Sequence, residues 1–392
     1  MKGRRRDVTI LDGDGGDVEK GAYSGNGNGL GDSSEGMSSD GVEEIRRVLE
    51  REIDGLCSKY EGIDVGLSGG VDSSTLVCLL ARRGVRPRVW MLGDGCQDEG
   101  EERHAEAILR RYDLEAHRVV VEPSQLPGAF EEAVRLMEGP VINARAVAKT
   151  LFFRAVADEG GDVFVSGVGA DDLLAGKPEA FGLNAEGQPG FVASRVPAKK
   201  VERLILREKS VRETKFDGRE LDFWGLRKLR FECVTRPLVL PMEVGAPESM
   251  ELRVCTPFLS LAMYEVARGL GREALIAGDY GKVALRKAVE PWVGEEVAWQ
   301  PKVPVYAPAG GGSEELRRRW ADLFEGLLTK HRLGPFERVC PDAVKSLVDE
   351  YRCLDLSSQK LRILEQVLMR LASLVILVRQ PGGSGRWLES YL

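Results

Sequence analysis

The stretch Leu67–Ser74, L-S-G-G-V-D-S-S, constrains this chain more than any other. It follows the apolar run Ile63–Leu67 and opens the run Thr75–Ala81, so the order is strand, glycine turn, helix N-terminus. Gly69 and Gly70 lack a Cβ, and the backbone there can come close to an anion. The free N–H groups of a first helical turn, together with the helix dipole, favour phosphate. Ser68, Ser73 and Ser74 add hydroxyl donors. Asp72 repels a bare phosphate and therefore points to a bridging divalent cation. The competing reading is a serine- and glycine-rich turn that only caps a helix. At ordinary residue frequencies S-G-G-x-D-S arises by chance in roughly one chain in a thousand of this length, which favours the phosphate site.

Strands and helices alternate around this stretch. Apolar residues recur with a helical period over Val42–Tyr60. Further strands are expected at Arg88–Leu92, Ala116–Val121 and Asp162–Val165. Helices are expected at Asp98–Tyr112, about 125–137 and 143–158. This alternation predicts an α/β fold, a parallel sheet with helices on both faces. Ligands of such sheets sit at the carboxyl ends of the strands. The loops Ser68–Asp72, Gly93–Asp98 and Ser166–Asp172 leave those ends and should converge on one site. Residues 178–200 read as loop, Val201–Val234 as charged and mostly helical, and 248–300 as helices with turns at Pro257 and Gly278–Gly281. The run A-P-A-G-G-G-S at 307–313 precedes the helical stretches Glu314–Leu328 and Ser357–Val378. The expected organisation is a Gly- and Ser-rich tail over 1–40, a nucleotide-binding domain over 41–305 and a helical C-terminal extension over 306–392. The tail has too little apolar surface to fold alone.

Composition narrows the partners. A hydrophobic content of 43% supports a real core, and a net charge of -7 argues against a nucleic-acid partner. The seven cysteines are dispersed without a C-x-x-C pair, the pattern of reduced thiols in a cytoplasmic protein. Three separated histidines argue against a histidine metal site. No apolar run approaches the ~20 residues of a membrane span. No apolar stretch follows Arg4–Arg6, so neither a membrane partner nor a signal peptide is expected.

S-G-G-V-D-S-S resembles the pyrophosphate loop of the ATP pyrophosphatases, which split ATP into AMP and pyrophosphate, and it differs from the Walker pattern G-x-x-x-x-G-K-[ST]. The loop alone does not choose among the members of that group. V-F-V-S-G-V-G-A-D-D-L-L-A-G, at 163–176, is similar to the L-S-G-E-G-A-D-E-L-F-G-G segment of asparagine synthetases. Three further segments follow in the same order. E-L-R-V-C-T-P-F-L-S at 251–260 resembles E-x-R-V-P-F-L-D. G-K-V-A-L-R at 281–286 resembles G-K-x-x-L-R, and Q-P-K-V-P at 300–304 resembles R-x-K-x-x-F.

The resemblance spans residues ~42–305 and implies the synthetase domain of the asparagine synthetase and β-lactam synthetase group. By that match ATP lies along Leu67, Ser68, Gly69, Gly70, Asp72 and Ser73, with adenine contacts near Leu92, Ser166 and Gly167. Asp72 and Asp171 are the implied Mg²⁺–pyrophosphate carboxylates, and two carboxylates from separate loops suit a leaving group that gathers negative charge. Lys282 and Lys302, 20 residues apart as in that family, are the implied catalytic charges. Either lysine alone would read as a solvated surface charge, and Asp171–Asp172 alone as a helix cap. Asp98 and His117 fall where the family has an acid and a histidine. His117 reads as structural, and His104 has no assigned role.

Three departures bear on function. Glutamine-dependent asparagine synthetases carry an N-terminal glutaminase whose nucleophile is the Cys exposed after Met removal, whereas residue 2 here is Lys. This predicts no glutamine hydrolysis, with nitrogen supplied as ammonia, by a separate glutaminase subunit, or by another amine. Val168 stands where the family has glutamate, or Tyr in β-lactam synthetases, and a valine neither moves protons nor contacts a polar amine. Ser260 and Gln300 replace an Asp and an Arg. The expected activity is AMP- and pyrophosphate-forming amide-bond synthesis on an adenylated carboxylate. Aspartate is the default acid, and a bulkier or less polar acid an equal candidate. A tRNA-modifying pyrophosphate-loop enzyme and a nucleotide-binding scaffold without catalysis remain the alternatives.

Overall fold

The computed structural model describes residues 39–93, 99–185, 188–194, 196–205, 218–301 and 313–379. Five parallel strands form one sheet: β1 (Ile63–Gly66), β2 (Arg88–Gly93), β3 (Ala116–Val120), β4 (Val163–Val165) and β5 (Arg253–Cys255). Their spatial order is β3-β2-β1-β4-β5. Val65 at the centre pairs with Val89 of β2 on one side and Val165 of β4 on the other. The chain therefore reverses its direction of winding between β1 and β4, and the loops leaving these neighbours flank a crevice at their carboxyl ends.

Both faces of the sheet are covered, as the alternation predicts. Ile63, Val65, Met91, Val163 and Val165 point into a core closed by helices Ser39–Lys59, Val71–Arg82, Glu99–Tyr112 and Val283–Val293. Trp90, Leu92 and Phe164 point into the other core. That second face is covered by helices Leu126–Met137 and Ala144–Asp158 and by three C-terminal helices, Glu314–Leu327, Pro341–Cys353 and Gln359–Val378. Trp320, wholly buried, meets Phe130 edge-on at 5.6 Å and Phe324 at 5.8 Å. The Ser373 hydroxyl accepts from the Val141 N–H at 3.0 Å.

A polar brace crosses the middle of the sheet. Asp64 is fully buried, bonds Arg88 at 2.8 Å and accepts from Trp90 Nε1 at 2.7 Å. A buried carboxylate needs such partners, because it is costly to hold unpaired. Trp90 in turn stacks on His117 at 4.6 Å, so this histidine packs against an indole on the neighbouring strand.

Two expectations for residues 248–300 need correction. Arg253–Cys255 is the edge strand β5, and Ile276–Ala277 pairs with Tyr280–Gly281 as a two-stranded antiparallel ribbon, β6 and β7. Three residues flanked by helices carry too little alternation to be read as a strand. The six described cysteines are unpaired, and no helix among the described residues is long and apolar enough to cross a membrane.

Trp320→Ala should remove the largest side chain joining the C-terminal helices to helix Leu126–Met137. A cost of about 3–5 kcal/mol is expected, read from the urea midpoint at unchanged m-value. A loss below about 1 kcal/mol would show that these helices do not share the core.

Candidate functional site

Internal hydrogen bonds hold the Leu67–Ser74 turn. The Leu67 N–H continues the sheet by donating to the Trp90 carbonyl at 2.8 Å. The Ser68 N–H donates to Ser73 Oγ at 3.1 Å, and the Ser73 hydroxyl reaches the Gly70 carbonyl at 3.2 Å. Gly70 is the N-cap of helix Val71–Arg82 and supplies no side-chain cap, so the first turn opens toward the crevice. Gly69 has a φ of +83°, and a Cβ on it would stand 1.8 Å from the Glu101 carbonyl oxygen. Its glycine identity is therefore set by close approach of helix Glu99–Tyr112. Gly69 is packed against that helix, while Ser68 and Gly70 line the cavity.

The loop after β4 comes in from the neighbouring strand. The Ser166 N–H donates to the Cys255 carbonyl at 2.9 Å, and the Val168 N–H to Ser166 Oγ at 3.3 Å. The short helix Ala170–Leu173 then carries two adjacent aspartates with different surroundings. Asp171 lies 2.7 Å from the Lys282 ammonium. Asp172 is buried, pairs with Arg230 and accepts from the Thr235 hydroxyl. Arg227, also buried, donates to the Leu173 carbonyl at 2.6 Å and to the Leu270 carbonyl at 2.9 Å. Burial pulls its guanidinium down to about 10. Helix Phe223–Arg230 and the wider π-helical segment Phe231–Val239 thus hold the loop from behind. Sequence reasoning missed this support, since the arginines read as ordinary charge on a solvated helix.

Lys282 joins the two loops. Its ammonium is 2.5 Å from Asp72 Oδ2 and 2.7 Å from Asp171 Oδ1, and the residue is 2% exposed. The backbone at Lys282 is left-handed (φ 57°), and its N–H is held by the Leu174 carbonyl at 3.1 Å. Gly176 leaves room for the side chain, since a Cβ there would stand 2.4 Å from Lys282 Cε. Burial pulls the ammonium toward deprotonation, but the charges and hydrogen bonds of Asp171 and Asp72 outweigh it and hold its pKa above the ordinary lysine value. The pair of carboxylates thus favours the charged form of Lys282. Arg286, on the same helix, donates to the Gly281 carbonyl at 2.7 Å and to the Ala298 and Gln300 carbonyls at 2.5 and 3.1 Å.

Leu67, Ser68, Gly70, Asp72, Ser73, Leu92, Ser166, Gly167, Asp171 and Lys282 line one cavity of about 440 Å³. Lys302 and Asp98 lie outside the described residues. The donor set fits a hard divalent cation such as Mg²⁺. Two carboxylates from separate loops meet there, and Asp72 Oδ1 is buried without a hydrogen-bond partner among the described residues. The cavity also takes in Trp90, Phe152, Phe164, Val168 and Val239, and a Lys149–Glu243 pair at 3.0 Å. Its lining thus mixes apolar and charged side chains, and the Lys149 ammonium lies 5.8 Å from the centre of the Phe152 ring. Gln300, the residue before Pro301, bonds the Gly69 carbonyl through its side chain.

Comparison with known proteins agrees with this geometry. The family described as asparagine synthase matches residues 44–230 and 244–374, and so takes in all five strands and most of the C-terminal helices. A protein of Mycobacterium bovis and two of Mycobacterium tuberculosis, provisionally named glutamine-hydrolyzing asparagine synthetases, are each 25% identical over 372 residues. The match covers 79% of this chain and 54% of each relative, so the chain spans about half the length of these proteins. A solved NMN synthetase from Francisella tularensis aligns over 68% of this chain and 99% of its own, at 12% identity and a TM-score of 0.28, too distant to carry a conclusion. With more than half of its residues matched, among them both loops and Lys282, this chain belongs to the asparagine synthase family.

Proposed function

We propose that the chain is an ATP-dependent, AMP- and pyrophosphate-forming carbon–nitrogen ligase that adenylates a carboxylic acid and passes the acyl group to ammonia or another amine. One observation carries this reading: Asp72 and Asp171, from the loops after β1 and β4, meet on the buried Lys282 ammonium beside the hydrogen-bonded Ser68–Ser73 turn. In the reaction a carboxylate oxygen attacks the α-phosphorus of ATP and pyrophosphate leaves. The amine then attacks the acyl carbonyl, loses a proton and expels AMP.

The charge on the departing pyrophosphate is the quantity the site must stabilise. Asp72 and Asp171 would hold Mg²⁺, which supplies Lewis-acid screening of the phosphate oxygens when bound. Lys282, held between the two carboxylates, would add a positive charge beside the phosphates. The first-turn N–H groups of helix Val71–Arg82 and the Ser68 and Ser73 hydroxyls orient the phosphate chain. Leu92, Ser166 and Gly167 border the adenine. Lys302 is proposed as the second catalytic lysine, on the resemblance of its segment alone.

Val168 stands in the cavity lining where the family has glutamate or Tyr, which supports an acid with a less polar body as a candidate beside aspartate. Glutamine hydrolysis belongs to the names of the longer relatives. For this chain the nitrogen source is proposed to be ammonia, an amine, or a separate glutaminase subunit.

Pyrophosphate release from ATP and Mg²⁺ should require a carboxylic acid, rise with an amine or ammonium, and vanish in Asp72→Ala. Release with no acid dependence would sink the ligase reading. Lys282→Met keeps the bulk but loses the charge. It should lower kcat by about 10²–10³ with a smaller change in KM for ATP, since the charge acts mainly on the leaving group. An unchanged kcat would remove Lys282 from catalysis. Chelation with EDTA should abolish release and added Mg²⁺ restore it, and full activity in EDTA would reject the two carboxylates as a cation site.

A further inference from the structure

The glycine pair of the pyrophosphate loop raises a stereochemical question. In a trans peptide the C=O of one residue and the N–H of the next point in opposite directions. The Gly69–Gly70 peptide has no Cβ on either side to oppose a flip, and it is among the easiest peptides in the chain to reverse. Reversal would turn the Gly70 N–H, which donates to the Ser68 hydroxyl at 3.4 Å beside the cavity, away from that hydroxyl and present a carbonyl oxygen to the phosphates. A site that binds polyanions has to prevent this.

The residues behind the loop form a chain of donors with one consistent assignment. Gln300 is 9% exposed, and its Nε2 is 2.5 Å from the Gly69 carbonyl oxygen. A carbonyl only accepts, so the amide must present its NH₂ there and its Oε1 to the other side. On that side Oε1 meets His104 Nδ1 at 2.6 Å. His104 must therefore carry its proton on Nδ1, while its Nε2 lies 3.6 Å from the exposed Glu296 carboxylate. The backbone of Gln300 is fixed independently by Arg286, which also grips the Gly281 carbonyl beside Lys282. Gly69 is pressed on the same side by the Glu101 carbonyl and the Ala105 N–H of the helix that carries His104.

We infer that His104 and Gln300 are positioning residues that lock the orientation of the Gly69–Gly70 peptide, keeping the Gly70 N–H turned into the cavity for a nucleotide phosphate. The inference rests on the nucleotide reading above. It assigns work to two residues that the chemistry itself does not use. His104 acts through Gln300, and Gln300 acts through the peptide. Gln300 lines the cavity, and His104 stands behind it. The lock would serve the phosphates and leave the base alone, because the residues proposed above to border the adenine are Leu92, Ser166 and Gly167, and neither His104 nor Gln300 is hydrogen-bonded to them.

The test is calorimetric titration of the full chain with ATP and, separately, with adenosine, which lacks phosphate. His104→Asp offers only acceptors to Gln300 and forces its amide to turn an oxygen toward the Gly69 carbonyl. Gln300→Glu does the same directly. Each should weaken ATP about tenfold, the weight of one good hydrogen bond, and leave adenosine unaffected. His104→Asn places an N–H₂ where Nδ1–H stood and should restore most of the ATP affinity, which a purely structural role would not require. Unfolding midpoints serve as the control, and if His104→Asp does not fold, Gln300→Glu carries the test. Equal losses for ATP and adenosine, or none in either variant, would overturn the lock. A wild-type chain that binds neither ligand would overturn the nucleotide reading instead, and the lock with it.

Discussion

A buried ammonium shared by two carboxylates sets the terms for this site. Lys282 is 2% exposed, and an ion so far from water is stable only when opposite charge is brought to it. Asp72 and Asp171 lie about a hundred residues apart in the chain and must arrive at the same point. They do so because β1 and β4 are neighbours in the sheet, and their loops leave from the same edge. Lys282 arrives from a third direction, on a left-handed residue that opens helix Val283–Val293. Sheet order, loop geometry and helix placement therefore act on one contact. Without Lys282 the two carboxylates would repel, and without them its charge would not survive burial.

The surrounding residues are arranged to keep that contact in place. Asp172, next to the shared Asp171, is given to Arg230 and Thr235 and so anchors its helix from behind. Arg227 fastens the end of the same helix through the Leu173 carbonyl. Arg286 ties the Lys282 turn to the segment at 298–300. Five buried polar side chains, Asp172, Arg227, Arg230, Thr235 and Arg286, thus hold the turns that carry Asp171 and Lys282. The arginines bond backbone carbonyls and one carboxylate.

Much of this was legible in the sequence. The L-S-G-G-V-D-S-S turn lies between an apolar strand and an apolar helix, so both its structure and its chemistry are local. The V-S-G-V-G-A-D-D segment and Lys282 stood out because each sits in a short ordered pattern. The strand β5 did not, since three residues of mixed polarity give no periodicity to read. Nor did Arg227, Arg230, His104 and Gln300, whose roles depend on partners tens to hundreds of residues away. A charged side chain buried against a carbonyl leaves the same trace in a sequence as one in solvent. Gly69 was legible as a glycine with a purpose, but its purpose is contact with helix Glu99–Tyr112 on the side away from the cavity.

The covering of the second sheet face has a consequence for the order of events at the ribosome. Phe130 waits for Trp320, and the Val141 N–H waits for Ser373, 232 residues further on. At ~5–20 residues per second the delay is on the order of 10–50 seconds. For most of that interval Trp90, Leu92, Phe152 and Phe164 have no C-terminal helices over them, although the loop after β1 and, from residue 171 onward, both aspartates have been made. The sheet is thus finished from one side first. Synthesis of this protein passes through a state with an apolar surface open to every other chain in the cell, and its yield depends on what occupies that surface in the meantime.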